Sequence, residues 1–332
     1  MSENLSGRAF LTGAHSQFGN VMVGRQEAVT TAAVGLVTNM NVGFAGGTGK
    51  FKTELMEQFP GLISDIDPAN VAQVPIDNAL SGIQIVGGES SLERRIERAG
   101  HPDDIEKIVT FLSGLVHEET QIVQLDEINR IPVKALNIFL SALEKRRIAT
   151  TAGVRELPNL QLVMATMNPL ETVDATNPVA HATISRFGLG WIFDRGGSFE
   201  QRVARTRGIA DLPKEGRIEP ITDMATILAM REAAKHKTIS STLEDHIARM
   251  SVMASDQLYE KVGLDDGEER LSVQVRRAAR GLAVLNDEPE VNGQNVNEAM
   301  VMAISARVGM ASPDAVELGP KMVREIVHPI AA

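Results

Sequence analysis

A glycine-rich segment followed by two lysines and a threonine is the part of the sequence best suited to chemistry. Residues 41–53 have the sequence NVGFAGGTGKFKT, a near-match to the pattern G-x-x-x-x-G-K-[ST]. In such a loop, glycines let backbone N–H groups wrap around phosphates, the lysine reaches the β- and γ-phosphates, and the hydroxyl holds Mg²⁺. The segment predicts a site for ATP and Mg²⁺, although a glycine-rich turn without a ligand also fits these residues.

The pattern can be placed on this segment in two registers. In the first register, Gly49 and Lys50 form the Gly-Lys pair. Phe44 then replaces the leading glycine, and Phe51 stands where the magnesium-binding hydroxyl should be. The first register therefore departs from the pattern twice and loses a metal ligand.

The second register begins at Gly46 and takes Lys52 and Thr53 as the Lys-hydroxyl pair, so that Phe51, in place of the last glycine, is the one departure. It puts Thr53 on the first turn of a helix, where the dipole favours phosphate, and we prefer it. A positive φ at Phe51 would cost about 1–2 kcal/mol. The loop residues expected to bind the nucleotide are Gly46, Gly47, Thr48, Gly49, Lys50, Phe51, Lys52 and Thr53.

Two carboxylates follow a short apolar run farther along the chain. Ile122–Leu125 predicts a buried strand that ends on Asp126 and Glu127. Asp126, together with Thr53, would hold Mg²⁺, and Glu127 would polarise the attacking water. The run lies far enough after Lys52 for a βα unit between them, so the two motifs together indicate ATP hydrolysis more strongly than either does alone.

The elements that would position these residues alternate between strands and helices. Because the candidate residues stand at strand carboxyl ends, we expect a parallel α/β sheet covered on both faces. Residues 1–20 are polar and are expected to form a loose lead-in. Helices are predicted at 26–37, 53–59 and 132–145, strands at 40–45, 122–125 and 160–165, and a β-hairpin at 147–157.

The pattern changes beyond about Asp223, where four amphipathic helical runs follow one another without strands. This predicts a nucleotide-binding α/β core over residues 1–213 and an all-helical lid domain over residues 214–332. Gly196-Gly197 and residues 207–220 would serve as linkers. The helical runs are residues 224–235, 241–259, 271–285 and 296–308.

Composition and charge narrow the classes of function. The 332 residues include no cysteine, which excludes disulfides and zinc-thiolate sites, and the seven histidines show no metal-ligand spacing. A net charge of −10 and 4% aromatic residues disfavour a DNA-dependent motor. No signal peptide and no apolar run long enough for a membrane span is apparent, so we expect a cytoplasmic protein without a membrane partner.

Several strings resemble the MoxR family of AAA+ ATPases. Asp126–Arg130 matches the family's D-E-I-N-R string, and residues 141–145 with the following hairpin are similar to its pattern. Residues 165–169 (ATMNP) also match, and the resemblance implies that Asn168 is the sensor-1 residue that positions the lytic water. Without the other motifs, Asn168 would be interpreted as a turn former before a proline.

The resemblance implies two further arginines and an adenine pocket. Residues 182–187 (ATISRF) resemble the family's A-x-L-D-R-F string, with serine for the usual aspartate, so Arg186 is the candidate for an arginine finger that acts on the neighbouring subunit's γ-phosphate. Arg270 stands at the sensor-2 position, although the preceding Ser-Pro pair of the family is absent. Val23 and Gly24 belong to the segment that lines the adenine pocket.

The resemblance extends over most of the chain and implies a ring, usually a hexamer, that remodels a client protein. In this family the client is often a metalloenzyme, reached through a von Willebrand factor A-domain partner. The hairpin and an insert within residues 79–116 would contact partners. A nucleotide-gated scaffold with little ATP turnover is the alternative, and Phe51 is the residue that favours it.

Overall fold

The computed structural model describes twelve stretches of the chain, which contain seven strands and ten α-helices. They are residues 5–19, 25–47, 51–74, 116–131, 133–150, 153–168, 179–193, 200, 203–204, 218–312, 315 and 317–331. The strands are β1 (Val42–Gly46), β2 (Val71–Val74), β3 (Ile122–Leu125), β4 (Arg147–Thr150), β5 (Gly153–Glu156), β6 (Leu162–Met167) and β7 (Leu189–Phe193). The helices are α1 (Gly7–Gln17), α2 (Gln26–Thr38), α3 (Lys52–Gln58), α4 (Val133–Lys145), α5 (His181–Ile184), α6 (Met224–His236), α7 (Ser241–Val262), α8 (Glu268–Leu285), α9 (Gly293–Ala311) and α10 (Gly319–Ala331).

Five strands form one parallel sheet in the order β2-β3-β6-β1-β7. β1 is fully buried and pairs on both sides, with Val42 opposite Met164 of β6 and Leu189 of β7. The expected parallel α/β sheet is thus confirmed. β4 and β5 form the predicted antiparallel hairpin outside this sheet. Because all five strands run in the same direction, the carboxyl ends of β1, β3 and β6 meet at one edge.

The prediction of a loose lead-in over residues 1–20 was wrong, because residues 7–17 form α1. The Ser6 hydroxyl caps this helix by accepting a hydrogen bond from the Ala9 backbone N–H at 3.2 Å, and Phe10 is fully buried. Gly7 brings the helix so close to α8 that an added Cβ would lie 2.0 Å from the Val284 carbonyl oxygen. The buried residues Gly7, Phe10 and Ala14 recur at helical spacing, and their packing against the rest of the protein stabilises α1.

Helices α6 to α9 confirm the four helical runs predicted after Asp223, and α10 follows them. β2, β7 and α10 were not predicted. The proposed boundary between residues 213 and 214, the linker glycines Gly196-Gly197 and most of the insert within 79–116 lie outside the described residues, so the domain limits stay a prediction. No helix in the described stretches is long and apolar enough to cross a membrane.

The helical region packs on the sheet through residues without large side chains. Helix α9 lies across β1 and β7, and an added Cβ on Gly190 of β7 would stand 2.5 Å from the Gly43 carbonyl oxygen and 2.7 Å from the Ala306 Cα atom. One cluster of buried apolar residues accordingly includes both Val42 of the sheet and Val275 of α8. The sheet and the helical region are therefore joined by a continuous apolar core.

We expect Gly190→Ala to lower the free energy of unfolding by about 1–3 kcal/mol, because the added methyl group has no room between Gly43 and Ala306. Urea denaturation followed by circular dichroism measures the change. Gly293→Ala is the matched control, since an added Cβ there meets nothing within 4 Å, and its free energy of unfolding should stay within about 0.5 kcal/mol of the parent value. Equal losses in the two variants would contradict the close approach of α9.

Candidate functional site

The side chain of Lys52 joins the turn after β1 to the end of β6. Lys52 is the first residue of α3 and only 4% exposed. Its Nζ atom donates hydrogen bonds to the carbonyl oxygens of Gly46 at 2.7 Å and Gly47 at 2.8 Å, and to Asn168 Oδ1 at 2.9 Å. These oxygen acceptors offset the free energy of removing the charge of the buried ammonium group from water.

Phe51 precedes α3 in the left-handed backbone region, with φ 63° and ψ 14°. A non-glycine residue held there costs of order 1–3 kcal/mol. The Phe51 side chain packs against the main apolar core. Thr48, Gly49 and Lys50 lie outside the described residues, as do Val23 and Gly24.

A hydroxyl and a carboxylate suited to Mg²⁺ lie next to Lys52. Thr53 Oγ1 donates a hydrogen bond to Asp126 Oδ1 at 3.1 Å, and the Thr166 hydroxyl donates to the same oxygen. Mg²⁺ prefers oxygen ligands and usually takes one or two from protein side chains and others from water and substrate phosphates. Thr53 and Asp126 therefore fit a magnesium ion that is shared with a nucleotide.

Glu127 is held on both of its carboxylate oxygens. Oε1 accepts a hydrogen bond from the Asn168 amide nitrogen, and Oε2 lies 2.6 Å from Arg130 Nε. The backbone at Glu127 is left-handed (φ 43°), and its N–H donates to Thr166 Oγ1 at 2.9 Å. These contacts aim the carboxylate beyond the strand end, next to the amide that also contacts Lys52. Asn129 completes the group by donating to the Asn168 carbonyl oxygen at 3.2 Å.

Arg186 lies at the opposite edge of the sheet, in a turn over residues 185–188 that we call the arginine turn. This turn leads into the amino end of β7, and Asn41, just before the parallel β1, donates to the Arg186 carbonyl oxygen at 2.8 Å. β1 spans five residues, which at ~3.3 Å per residue separates the two edges by about 16 Å. The structure thus brings Lys52 and the carboxylates together but leaves Arg186 apart from them.

Arg270 of α8 lies beside Arg186 rather than beside Lys52. Arg186 Nη2 donates to Glu144 Oε2 at 2.8 Å, while Arg270 Nη2 lies 3.8 Å from Glu144 Oε1 and its Nη1 donates to Ser185 Oγ at 2.5 Å. The hydrogen bond from Arg186 lowers the pKa of Glu144 below its ordinary value. One carboxylate therefore contacts both candidate arginines.

These arginines line a pocket of about 480 Å³ between the sheet edge and α8. Arg146 forms part of its wall and donates to Asn41 Oδ1 at 2.9 Å. Burial, with a smaller contribution from Arg231 and Arg277, lowers the pKa of Arg146 to about 10, so its guanidinium keeps its charge at neutral pH. The pocket is consequently rich in positive charge.

Several side chains of these two groups were not singled out from the sequence. Thr166 lies inside the motif that contains Asn168, and Arg130 ends the string that begins at Asp126, so a closer look at the motifs could have found them. Asn41 begins the glycine-rich segment and Glu144 lies within residues 141–145, but the chemistry of those motifs assigns neither side chain a role. Their roles follow from contacts between residues distant in sequence, about which local pattern carries no signal.

Comparisons with known proteins agree with this architecture. A family model described as "ATPase family associated with various cellular activities (AAA)" matches residues 96–189. The chain is 25% identical over 313 residues to "Chaperone MoxR1" of Mycobacterium tuberculosis, a match that covers 91% of this chain and 77% of that protein. A crystal structure of an inferred ATPase from Cytophaga hutchinsonii superposes with a TM-score of 0.70, at 19% identity, over 98% of this chain and 95% of that one, and so supports the fold. The motifs, the sheet and these relatives together support the resemblance of the chain to the MoxR-type AAA+ ATPases.

Proposed function

We propose that the protein is a cytoplasmic remodelling ATPase that binds and hydrolyses ATP and works as a homo-oligomeric ring on a protein client. The observation that carries the proposal is the division of the expected catalytic groups between two edges of one sheet. Lys52 and the carboxylates stand at the carboxyl edge, and Arg186 and Arg270 stand at the amino edge, at the other end of a strand about 16 Å long. A single subunit holds both halves of a site but cannot join them.

A ring of identical subunits joins these halves. In a head-to-tail arrangement, the amino edge of one subunit faces the carboxyl edge of the next, and the contact repeats until the ring closes. Arg186 would then meet the charge that develops on a neighbour's phosphates during hydrolysis. The resemblance to MoxR proteins suggests a hexamer, and the name of the mycobacterial relative suggests a protein as the client. A von Willebrand factor A-domain protein, or a metalloenzyme that awaits activation, is the kind of client we propose.

The side chains at the carboxyl edge of the sheet would each have a different role in ATP binding and hydrolysis. Lys52 would exchange its carbonyl acceptors for the β- and γ-phosphate oxygens, while Thr53 and Asp126 would hold Mg²⁺. Bound there, Mg²⁺ supplies electrostatic stabilisation of the phosphate oxygens. Glu127 and Asn168, already in contact, would orient and polarise the attacking water between them.

A nucleotide-gated scaffold with little turnover is the second candidate, and the backbone of Phe51 is the observation that favours it. Phe51 holds the left-handed backbone at a steric cost that a glycine at this position of the loop would not carry. The adjacent Thr53, Asp126, Glu127 and Asn168 oppose it, because a scaffold has no need of an aligned water-activating group. Steady-state release of phosphate separates the two, since a scaffold would bind ATP and release almost none.

Lys52→Ala should abolish ATP binding, whereas Lys50→Ala should leave most of it, because Lys52 is the ammonium group held between β1 and β6. Titration with a fluorescent ATP analogue measures both affinities. Lys50→Ala is the matched control, since it removes the same charge from the same loop. The opposite order of affinities would favour the first register and remove Thr53 from the metal site.

Phe51→Gly should raise ATP affinity or turnover, since glycine adopts φ 63° without the steric cost that phenylalanine carries. A relief of about 1.4 kcal/mol, if fully expressed in binding, is worth a factor of ten. Nucleotide titration and phosphate release measure the two quantities. Phe51→Ala is a useful comparison, because it removes the ring but keeps the strained backbone. If Phe51→Gly lost ATP affinity while Phe51→Ala kept it, the strained backbone conformation itself would help ATP binding.

Arg186→Ala and Glu127→Gln should each bind ATP nearly normally and hydrolyse almost none. The first lacks the arginine finger, which is typically worth about 10³–10⁵ in rate, and the second lacks the carboxylate that polarises the attacking water. A mixture of the two should regain part of the activity. In a mixed ring, an Arg186→Ala subunit keeps Glu127 while its Glu127→Gln neighbour supplies the arginine. Phosphate release measures the activity, and mass photometry checks subunit exchange. Exchange without any recovered activity would reject Arg186 as a residue that acts across the subunit boundary.

A further inference from the structure

Gln274 of α8 contacts the arginine turn at both of its ends. Its Nε2 atom donates a hydrogen bond to the Ser185 carbonyl oxygen at 3.1 Å. Its side chain also lies against Gly188, where an added Cβ would stand 3.2 Å from Gln274 Cδ and 3.3 Å from Gln274 Cγ. The absence of a side chain at Gly188 therefore lets Gln274 lie close to the backbone that carries Arg186.

The other end of the Gln274 amide is fixed inside the helical region. Its Oε1 atom accepts a hydrogen bond from Arg307 Nη2 at 2.7 Å. An arginine only donates and a carbonyl only accepts, so the orientation of the amide between Arg307 and Ser185 follows from chemistry. Arg307 is fully buried in α9, where it forms an ion pair with Asp266 and donates to the Ala303 carbonyl oxygen at 3.0 Å.

This chain of contacts runs from a rigid anchor to the arginine turn. Breaking a buried ion pair leaves an uncompensated charge away from water, so Arg307 has little freedom to move away from Asp266. Gln274 transmits that fixed position to Ser185, the residue directly before Arg186. By contrast, Glu144 contacts Arg186 from the sheet side of the pocket.

We propose that Gln274 is a positioning residue that ties Arg186 to the helical region. A displacement of that region in one subunit then changes the position of Arg186 relative to the neighbouring subunit's ATP. The inference rests on the proposed action of Arg186 across the subunit boundary. Gln274 acts through the backbone of Ser185 and touches no substrate. Through the contact between Gln274 and Ser185, the helical region of one subunit influences ATP hydrolysis in the next subunit.

Gln274→Glu tests this link, because the glutamate keeps an acceptor for Arg307 but presents an oxygen instead of a donor to the Ser185 carbonyl. A misplacement of about 1 Å in a catalytic group can cost 10²-fold in rate. We expect kcat to fall roughly tenfold or more, with the ATP affinity of the ring within about twofold of the parent value. Phosphate release and nucleotide titration on the full chain measure the two.

Mixed rings distinguish a defect in the arginine from a defect in the subunit's own nucleotide site. A Gln274→Glu subunit mixed with Glu127→Gln should regain activity, because the latter supplies a well-placed Arg186. Mixed with Arg186→Ala, it should regain none, since both partners then lack a working arginine. Recovery with Arg186→Ala but not with Glu127→Gln, or an unchanged kcat in Gln274→Glu, would overturn the proposal.

Three controls keep these outcomes interpretable. Gln274→Met, which loses the donor without adding charge, should show the same pattern and serves if Gln274→Glu fails to fold. Gln294→Glu makes the same exchange on the exposed start of α9, and its kcat should be unchanged. If Arg186→Ala and Glu127→Gln do not complement each other, the proposed function fails. If they do, and the Gln274 variants do not follow the predicted pattern, the positioning role alone fails.

Discussion

A buried positive charge at the end of β1 is the constraint on which the site depends. Burial of the Lys52 ammonium is tolerated only because oxygen acceptors surround it, among them the carbonyl oxygens of Gly46 and Gly47 at the end of β1 and the side chain of Asn168 at the end of β6. The strands must therefore end level with each other. Parallel pairing of β3, β6 and β1 achieves this alignment, and the same alignment puts Asp126 and Glu127 beside Thr53 and Asn168.

The central part of this arrangement could be predicted from the sequence because central strands of a parallel sheet are short continuous apolar runs. β1, β3 and β6 are buried throughout and were found in this way. β2 has a partly exposed pattern and β7 contains Gly190. Both lie at the edges of the sheet and both were missed, β2 because its short apolar run contains Gln73, and β7, although mostly buried, because Gly190 interrupts its apolar run. Helix α1 was missed because its polar composition was given more weight than the helical spacing of Gly7, Phe10 and Ala14, which are buried.

The same distinction applies to the site. Groups that follow one another in the chain, such as Asp126 and Glu127, could be identified because their chemistry requires a fixed spacing. The contacts of Glu144 and Gln274 could not, because each depends on two elements meeting in space. The separation of Arg186 from Lys52 could likewise not be predicted from the spacing of the motifs in the sequence, since it follows from the direction of β1 and β7. Only the family resemblance gave Arg186 a role in a neighbouring subunit.

The charge of the pocket beside the arginine turn also affects how copies of this chain can approach one another. Four arginines (Arg146, Arg186, Arg270 and Arg277) line it against two glutamates (Glu144 and Glu269), in a chain whose net charge is −10. Two such pockets brought face to face would repel each other. Electrostatics thus disfavours a twofold dimer through this face. Because the Debye length is about 8 Å at physiological ionic strength and about 3 Å at 1 M salt, this orientational preference would act mainly at close range and would weaken in concentrated salt.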